Sequence, residues 1–359
     1  VHALIEVRQG RKVTGIGRYG LRLAQELLCL APQEVTAAVS KRHVADLAAV
    51  APHSVLGIGD KDDLAATLPS GFDVVHGINF HAPELNGAAR VATIHDLGFI
   101  QLPECHPVGM PERLDRAIRQ SLPSTAIFLC DSDWTMRTFV DQYGVDVQRC
   151  RVVHLGVDTR FSPEGPGIGR NIRLGIFRVH RPYLLHVGAM IKRKDIGTLL
   201  RAFELVAPQN PDLQLVLVGN KTRRWASEWP TVRTWLRDNR RLRGRVRILN
   251  YTPDDLLPRL YRDASAVVST SLLEGFGLTV LEGLASGVPV VATRGSAIDE
   301  IAGPNVFLGA ARQPESYAEA IKLALASDAA TRERGVNHAT SFTWKGTAEK
   351  TLDAYRAAT

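Results

Sequence analysis

The chain has little of what would place it in several common classes. Only four of its 359 residues are cysteine, and Cys29, Cys105, Cys130 and Cys150 include no CxxC pair. A disulfide scaffold or structural zinc site needs paired thiols, or thiols with histidine pairs at short spacing, so neither is expected. Idle thiols in a reducing compartment are the simpler reading. No stretch approaches the roughly 20 uninterrupted apolar residues of a membrane span. The opening VHALIEV reads as a strand, not as a charged segment before a long apolar run, so no signal peptide is expected and the location expected is cytoplasmic. Low-complexity tracts are lacking too.

What is present is ordinary for a folded chain: 45% hydrophobic and 23% charged residues, over a length that suits two domains rather than one. The net charge of +7 suits an anionic ligand, an anionic membrane surface or nucleic acid, and charge alone does not choose among them. Short apolar runs rich in β-branched residues (HALIEV, EVTAAVS, FDVVHGI, ARVATIHDL, STAIFLCDS) alternate with helical stretches such as TGIGRYGLRLAQELLCLAP. The Gly- and Pro-rich SPEGPGIGRNI, within Phe161 to His180, reads as a linker. A second series follows: RPYLLHVGA, LQLVLVGN, RVRILNY, ASAVVSTS and VPVVATR, with helix candidates between them and a terminal one near Thr340 to Ala358. Such alternation predicts α/β architecture, two doubly wound Rossmann-like domains with parallel sheets covered on both faces. Ligands of such sheets bind outside the carboxyl ends of the strands, so a site is expected in a cleft where the two domains face each other.

The most informative stretch is SLLEGFGLTVLEGLASGVPVV, from Ser271 to Val291. Seven residues separate Glu274 from Glu282, among them Gly275, Phe276, Gly277 and Leu278. A buried strand precedes this loop and a helix starts near Gly277. The glycines let backbone N–H groups approach a ligand, and a helix start favours negative charge. Two acids flanking such a phosphate cradle suit sugar or ribose hydroxyls. At this spacing alone, a solvated Glu and a capping Glu would explain the pair equally well.

The whole string resembles the signature of the family 4 glycosyltransferases, which have the GT-B architecture. It departs at Thr279, where Pro is common, and over Gly283 to Ser286, away from the ligand-bearing positions. The resemblance implies an N-terminal acceptor-side domain over residues 1–165, a donor domain over 166–340, and a terminal helix over 341–359 packing back toward the first domain. It implies a retaining hexosyltransferase that moves a sugar from a nucleotide diphosphate-sugar to a hydroxyl of a glycan or lipid-linked acceptor, with no cofactor and no metal. Members with the TGIGRY opening and HDL segment are often bacterial surface-polysaccharide and lipopolysaccharide mannosyltransferases using GDP-mannose, the donor expected here. HVGAMIKRKDIGTLLRAFELV resembles the family's strand, basic loop and helix; Gly188 closes that strand, and Arg193 and Lys194 fall where cations grip the diphosphate. Asn250 and Tyr251 fall where the nucleobase is bordered, and Glu282 where ribose is held. Glu274 and the backbone of Phe276, Gly277 and Leu278 are expected on the transferred sugar. The glycine loop with Gly15, Gly17, Arg18 and Tyr19 is expected over donor phosphate and acceptor, and His95 with Asp96 in the active site, where His95 orients and polarises rather than removes a proton.

Other matches carry less. Gly15 to Gly20 spells GxGxxG, but polar residues separate it from the preceding strand and the acid Glu34 comes too early for a dinucleotide site. Asp131-Ser132-Asp133 spells the metal motif DxD, but follows a strand and precedes a helix, where an N-cap is simpler. Residues 223–247 hold nine arginines and three tryptophans, a solvated basic face or a peripheral contact with anionic lipid on the inner face of the cytoplasmic membrane. No nucleic-acid module is present, and no nucleic-acid partner is expected. Competing readings are another GT-B activity, such as a sugar-nucleotide epimerase or phosphorylase, and a non-catalytic nucleotide-sugar-binding subunit. The intact Glu274, Glu282, Arg193 and Lys194 argue against the last.

Overall fold

The computed structural model describes residues 1–359 except 9–14, 60–63, 175–176, 221–226, 251 and 254, and leaves aside the side chains of residues 64, 65, 177 and 304. The chain forms two compact units. The first contains Val1–Ile100, Gly109–Gly156 and Phe342–Thr359, and the second Gln101–Val108 and Val157–Ser341.

Unit 1 runs β1 (Ala3–Val7), α1 (Gly15–Leu30), β2 (Val35–Ser40), α2 (Val44–Ala48), β3 (Val55–Ile58), α3 (Leu64–Thr67), β4 (Val74–Gly77), β5 (Ala89–Ile94), α4 (Gly98–Gln101), α5 (Met110–Ser121), β6 (Thr125–Cys130), α6 (Asp133–Tyr143) and β7 (Cys150–Val152). Its sheet is parallel, in the order β3-β2-β1-β4-β5-β6-β7. Helix α1 buries Tyr19, Leu23, Ala24, Leu27 and Leu28, the one-sided stripe of an amphipathic helix. Elsewhere in the unit Ile94 and Phe128 of the sheet pack with Phe99, Ile118 and Phe139 of the helices. Helix α6 has a Ser132 N-cap, which accepts from Thr135 N, and ends at Gly144 in the left-handed region (φ 64°).

Unit 2 holds β8 (Asn171–Leu174), β9 (Phe177–His180), β10 (Tyr183–Val187), α7 (Ile196–Val206), β11 (Gln214–Val218), α8 (Trp229–Asp238), β12 (Val246–Leu249), α9 (Leu256–Arg262), β13 (Ala266–Ser269), α10 (Leu278–Ala285), β14 (Val290–Thr293), α11 (Ile298–Ile301), β15 (Val306–Gly309), α12 (Pro314–Leu325) and α13 (Ala329–Ala339). Its parallel sheet has the order β12-β11-β10-β13-β14-β15. Helix α7 buries Ile196, Leu199, Leu200, Phe203 and Val206 against Leu215 and Leu217 of the sheet and Ile321 of α12. The guanidinium of Arg245 fastens the turn after α7 by donating to the carbonyls of Leu213 (2.8 Å) and Ala207 (3.2 Å).

The Gly- and Pro-rich stretch is not a free linker. Arg262 donates to the carbonyls of Ser162 and Pro166, Asp263 accepts from Ile168 N, and Phe161 packs edge-on against Tyr261. The chain then forms the antiparallel hairpin β8–β9. The division therefore falls at Gly156 rather than at residue 165, because these contacts tie the stretch to α9. The last helix, α14 (Trp344–Ala358), belongs to unit 1, where it packs on α1.

A buried polar chain joins α14 to the sheet of unit 1. Tyr355 Oη lies 2.8 Å from His76 Nδ1, His76 Nε2 lies 2.8 Å from Thr93 Oγ1, and Thr93 Oγ1 lies 2.9 Å from Tyr19 Oη. A neutral ring donates at one nitrogen and accepts at the other, so the chain is satisfied along its length. Tyr355→Phe leaves one ring nitrogen without its partner and should cost about 1–2 kcal/mol in urea unfolding.

Burial holds His76 down to about 3 and, in unit 2, His186 down to about 4. The unfolded chain takes up protons near the ordinary value of 6.5 that the folded chain refuses. The stability these two groups contribute is complete above that value. It is lost as the pH falls toward their folded pKa values, by up to about 1.4 kcal/mol per pH unit for each. Urea unfolding followed from pH 7 to pH 4.5 should show that slope, and His76→Gln, which does not titrate, should make it shallower. Equal slopes would contradict the assignment.

Candidate functional site

In unit 2 the strand order reverses between β10 and β13, and at such a point an open parallel sheet leaves a crevice outside the strand ends. Two segments meet there. After β10 the chain passes Gly188 and a tight turn at Lys192–Lys194 before α7; after β13 it forms the loop 270–277 before α10. Main-chain bonds clamp them together: Leu272 N donates to Arg193 O (2.8 Å), and Thr270 Oγ1 donates to Lys194 O (2.8 Å). Asp195, in the left-handed region at φ 44°, caps α7 by accepting from Thr198 N (3.4 Å).

This arrangement brings Arg193, Lys194 and Glu274 into one cluster. Lys194 Nζ lies 2.5 Å from Glu274 Oε1, and Arg193 Nη1 lies 3.2 Å from Glu274 Oε2 while also donating to the carbonyl of Leu273. Burial alone would raise the Glu274 carboxyl, but the Lys194 and Arg193 cations outweigh it and hold the group well below the usual carboxylate range. Glu274 is thus an ionised acceptor, and two cations stand beside it. Its backbone is held from β14's side: Glu274 N donates to Ser296 Oγ (3.3 Å), and Ala297 N donates to Glu274 O (3.3 Å).

Helix α10 starts at Gly277, whose φ of 106° is left-handed and whose added Cβ would meet Ile298 Cδ1 at 2.7 Å, so only glycine fits there. The positive end of α10 and its first N–H groups are therefore presented at the loop that carries Gly275 and Glu274. Phe276 is buried and Leu278 half-buried. Glu282 is nearly buried in α10, where Tyr261 Oη donates to its Oε2 at 2.7 Å. Asn250 is exposed at the carboxyl end of β12, and Tyr251 lies outside the described residues.

In unit 1, His95 follows β5 and is buried. Its Nε2 lies 2.8 Å from the carbonyl of Ile78 and its Nδ1 2.7 Å from Asp131 Oδ2. A carbonyl only accepts, so Nε2 carries hydrogen. Burial would lower the imidazole, but the Asp131 carboxylate and the Ile78 carbonyl raise it above its ordinary value. With both nitrogens engaged inside the unit, His95 has no free lone pair for proton abstraction. Asp96 caps the next turn by accepting from Gly98 N (2.8 Å). Gly15 is exposed at the start of α1, Gly17 is buried and Arg18 half-buried within it, so the GxGxxG string is helical and not a strand-to-helix turn. Tyr19, expected in a phosphate loop, is instead buried in α1 with its hydroxyl on Thr93 and its ring edge-on to His95 (4.9 Å between centroids). Burial raises its phenol far above the ordinary value. In the DxD string Asp131 serves His95, Ser132 caps α6, and Asp133 pairs with Arg137 (2.6 Å).

The basic stretch sorts into different roles. Arg245 and Arg247 are tied to main-chain carbonyls, Trp235 is buried with its Nε1 donating to Glu204 (3.3 Å), and Arg233, Arg237, Arg240, Arg241 and Arg243 are exposed. No helix among the described residues is long and apolar enough to cross a membrane. Sequence reasoning missed Tyr261, Ser296 and His186. Tyr261 recurs at helical spacing with Leu257 on α9, which was a visible signal, whereas Ser296 and His186 acquire their places only through the sheet.

Comparison with known proteins agrees with this architecture. Residues 13–161 match the family described as Glycosyltransferase Family 4, and residues 175–342 match that described as Glycosyl transferases group 1. The chain is 28% identical over 288 residues to the O-antigen chain mannosyltransferase B of Escherichia coli, covering 79% of this chain and 74% of that one. It is 30% identical over 307 residues to a D-inositol 3-phosphate glycosyltransferase of Acidothermus cellulolyticus, covering 81% and 68%. Among solved structures it is similar to Anabaena Alr3699/HepE in complex with UDP and glucose (TM-score 0.72, 18% identity, 98% of each chain). It is similar also to WaaG, a glycosyltransferase involved in lipopolysaccharide biosynthesis (TM-score 0.72, 16% identity, 98% and 99%). The two doubly wound units are those of the GT-B fold, and the chain belongs to the family 4 glycosyltransferases.

Proposed function

We propose that this glycosyltransferase is a retaining hexosyltransferase that takes mannose from GDP-mannose and passes it to a hydroxyl of a glycan or lipid-linked acceptor in surface polysaccharide synthesis. The observation that carries the donor site is the cluster of Arg193 and Lys194 on an ionised Glu274 beside the start of α10. A departing nucleoside diphosphate develops negative charge, and two cations beside a helix N-terminus stabilise it without a metal ion. Glu274 accepts from hydroxyls of the transferred sugar, while Glu282, oriented by Tyr261, accepts from ribose. Mannose is favoured by the similarity to the O-antigen chain mannosyltransferase, and UDP-glucose is the alternative raised by the UDP-bound neighbour.

For retention we favour attack on the same face as departure, with the leaving phosphate accepting the acceptor's proton. Asp131, the nearly buried acid of unit 1, is held by His95 and is not presented as a nucleophile. Thermal unfolding with GDP, UDP, dTDP and ADP and their sugars, first without metal and then with magnesium, tests the donor reading. A ligand at a hundred times its Kd adds about 2.7 kcal/mol, a visible shift. A metal-independent shift with GDP-mannose supports the proposal, a shift with another base replaces the donor, and no shift overturns it. Glu274→Ala should lower kcat/KM by about 100-fold or more, while the exposed Glu333→Ala on α13 leaves it unchanged; equal effects would undo the site assignment.

A further inference from the structure

One buried polar atom in unit 2 faces this site and is not used above. His186 lies in β10 with its ring buried, and its Nδ1 is 2.9 Å from the carbonyl of Val268 in β13. The carbonyl can only accept, so Nδ1 carries the hydrogen and the neutral ring keeps a lone pair on Nε2. That Nε2 is buried and has no hydrogen-bond partner among the described residues. Its direction is given by Gly188: a Cβ added there would lie 3.4 Å from His186 Nε2 and 3.2 Å from Lys194 Cε, so the two side chains flank one point. The charged groups that act on the ring are Lys194 and Glu274, and burial with the Lys194 charge keeps it neutral.

We propose that His186 is a positioning residue of the donor site: its Nε2 is the acceptor to which the Lys194 ammonium turns when a sugar nucleotide draws Glu274 onto its hydroxyls. The inference rests on the donor-site reading above. In the free protein Lys194 is neutralised by Glu274 at 2.5 Å. A bound sugar competes for the same carboxylate oxygens, and the neutral lone pair beside the ammonium gives it an acceptor in exchange for the one drawn away. A carboxylate there would cancel the charge that grips the diphosphate, and a second cation would repel it. A neutral imidazole lone pair holds the ammonium and leaves its charge directed at the phosphates. Gly188 leaves the space between the two open, since a Cβ there would press on both at 3.2 and 3.4 Å.

Two measurements on the full chain test this, with GDP-mannose and UDP-glucose as probes. In ring ¹⁵N spectra, His186 Nε2 should resonate as an unprotonated nitrogen in the free protein and move upfield when the bound probe saturates. The movement should vanish in Lys194→Met. By titration calorimetry, His186→Leu should weaken probe binding about 10- to 100-fold. His186→Gln, whose amide oxygen reaches the place of Nε2, should recover most of that affinity. Melting curves of both variants separate lost binding from lost folding. An Nε2 signal unmoved by a probe that binds, or equal affinities for the Leu and Gln variants, overturns the role of His186 and leaves the donor site standing. If the wild-type chain binds neither probe nor any other nucleotide sugar of the panel, the donor-site reading fails and this inference with it.

Discussion

A carboxylate buried in a protein stays ionised only if cations accompany it, and the candidate site is built around that constraint at Glu274. Lys194 and Arg193 supply the cations, yet they lie some eighty residues away along the chain, so the fold must bring two strand ends together. The parallel sheet does this by reversing its order between β10 and β13. The main-chain bonds from Leu272 and Thr270 then fix the two segments at hydrogen-bond precision. Loss of either cation would leave Glu274 poorly compensated, whereas loss of all three charged groups would leave an ordinary strand-end loop. The ion cluster therefore reports function more than stability: buried ion pairs contribute little net folding energy, because desolvation offsets their attraction.

The same segment also explains why α10 begins where it does. Gly277 adopts a left-handed φ that other residues resist, and Ile298 stands where a side chain would go. The helix therefore starts directly after the loop of Glu274, which puts its positive end beside the cluster. A helix begun one turn later would move that end away from the cluster. Here backbone geometry and charge converge on one place, the candidate anion site.

Much of this was legible in the sequence. The strands β1, β2, β4, β5 and β6, and β10, β11, β13 and β14, lie inside their sheets as near-continuous apolar runs and could be read directly, as could the edge strand β12, which is largely buried. Of the strands that escaped, β3, β7 and β15 lie at sheet edges and are half-exposed, so their apolar signal is diluted, and β8 and β9 lie in the stretch read as a linker. Helix α8 was hidden among arginines whose roles differ: Arg245 ties carbonyls, while Arg233 faces solvent. The linker was misread because Gly and Pro mark irregular backbone and do not say whether it is fastened. Arg262 and Asp263, about a hundred residues later, are what fasten it. Glu274, Glu282, Arg193 and Lys194 were found because one loop and one turn carry them. Tyr19 was misplaced because glycines before it suggested a loop, where its hydroxyl's partner, Thr93, holds it in the core.

The histidines show most clearly what a sequence cannot give. His76, His95 and His186 all lie in or just after strands of similar apolar character, and nothing local distinguishes them. Their states are set by burial and by how strongly the partner across the sheet opposes it. Burial lowers all three rings: it prevails at His76, between two hydroxyls, and at His186, where the Val268 carbonyl only partly opposes it, whereas at His95 the Asp131 carboxylate overcomes it and raises the ring. A carboxylate turns the ring into half of an ion pair, and a carbonyl leaves it a neutral acceptor. Only the second kind can offer a lone pair to a cation. The ring beside Lys194 is of that kind, and the ring after β5, paired with Asp131, is not.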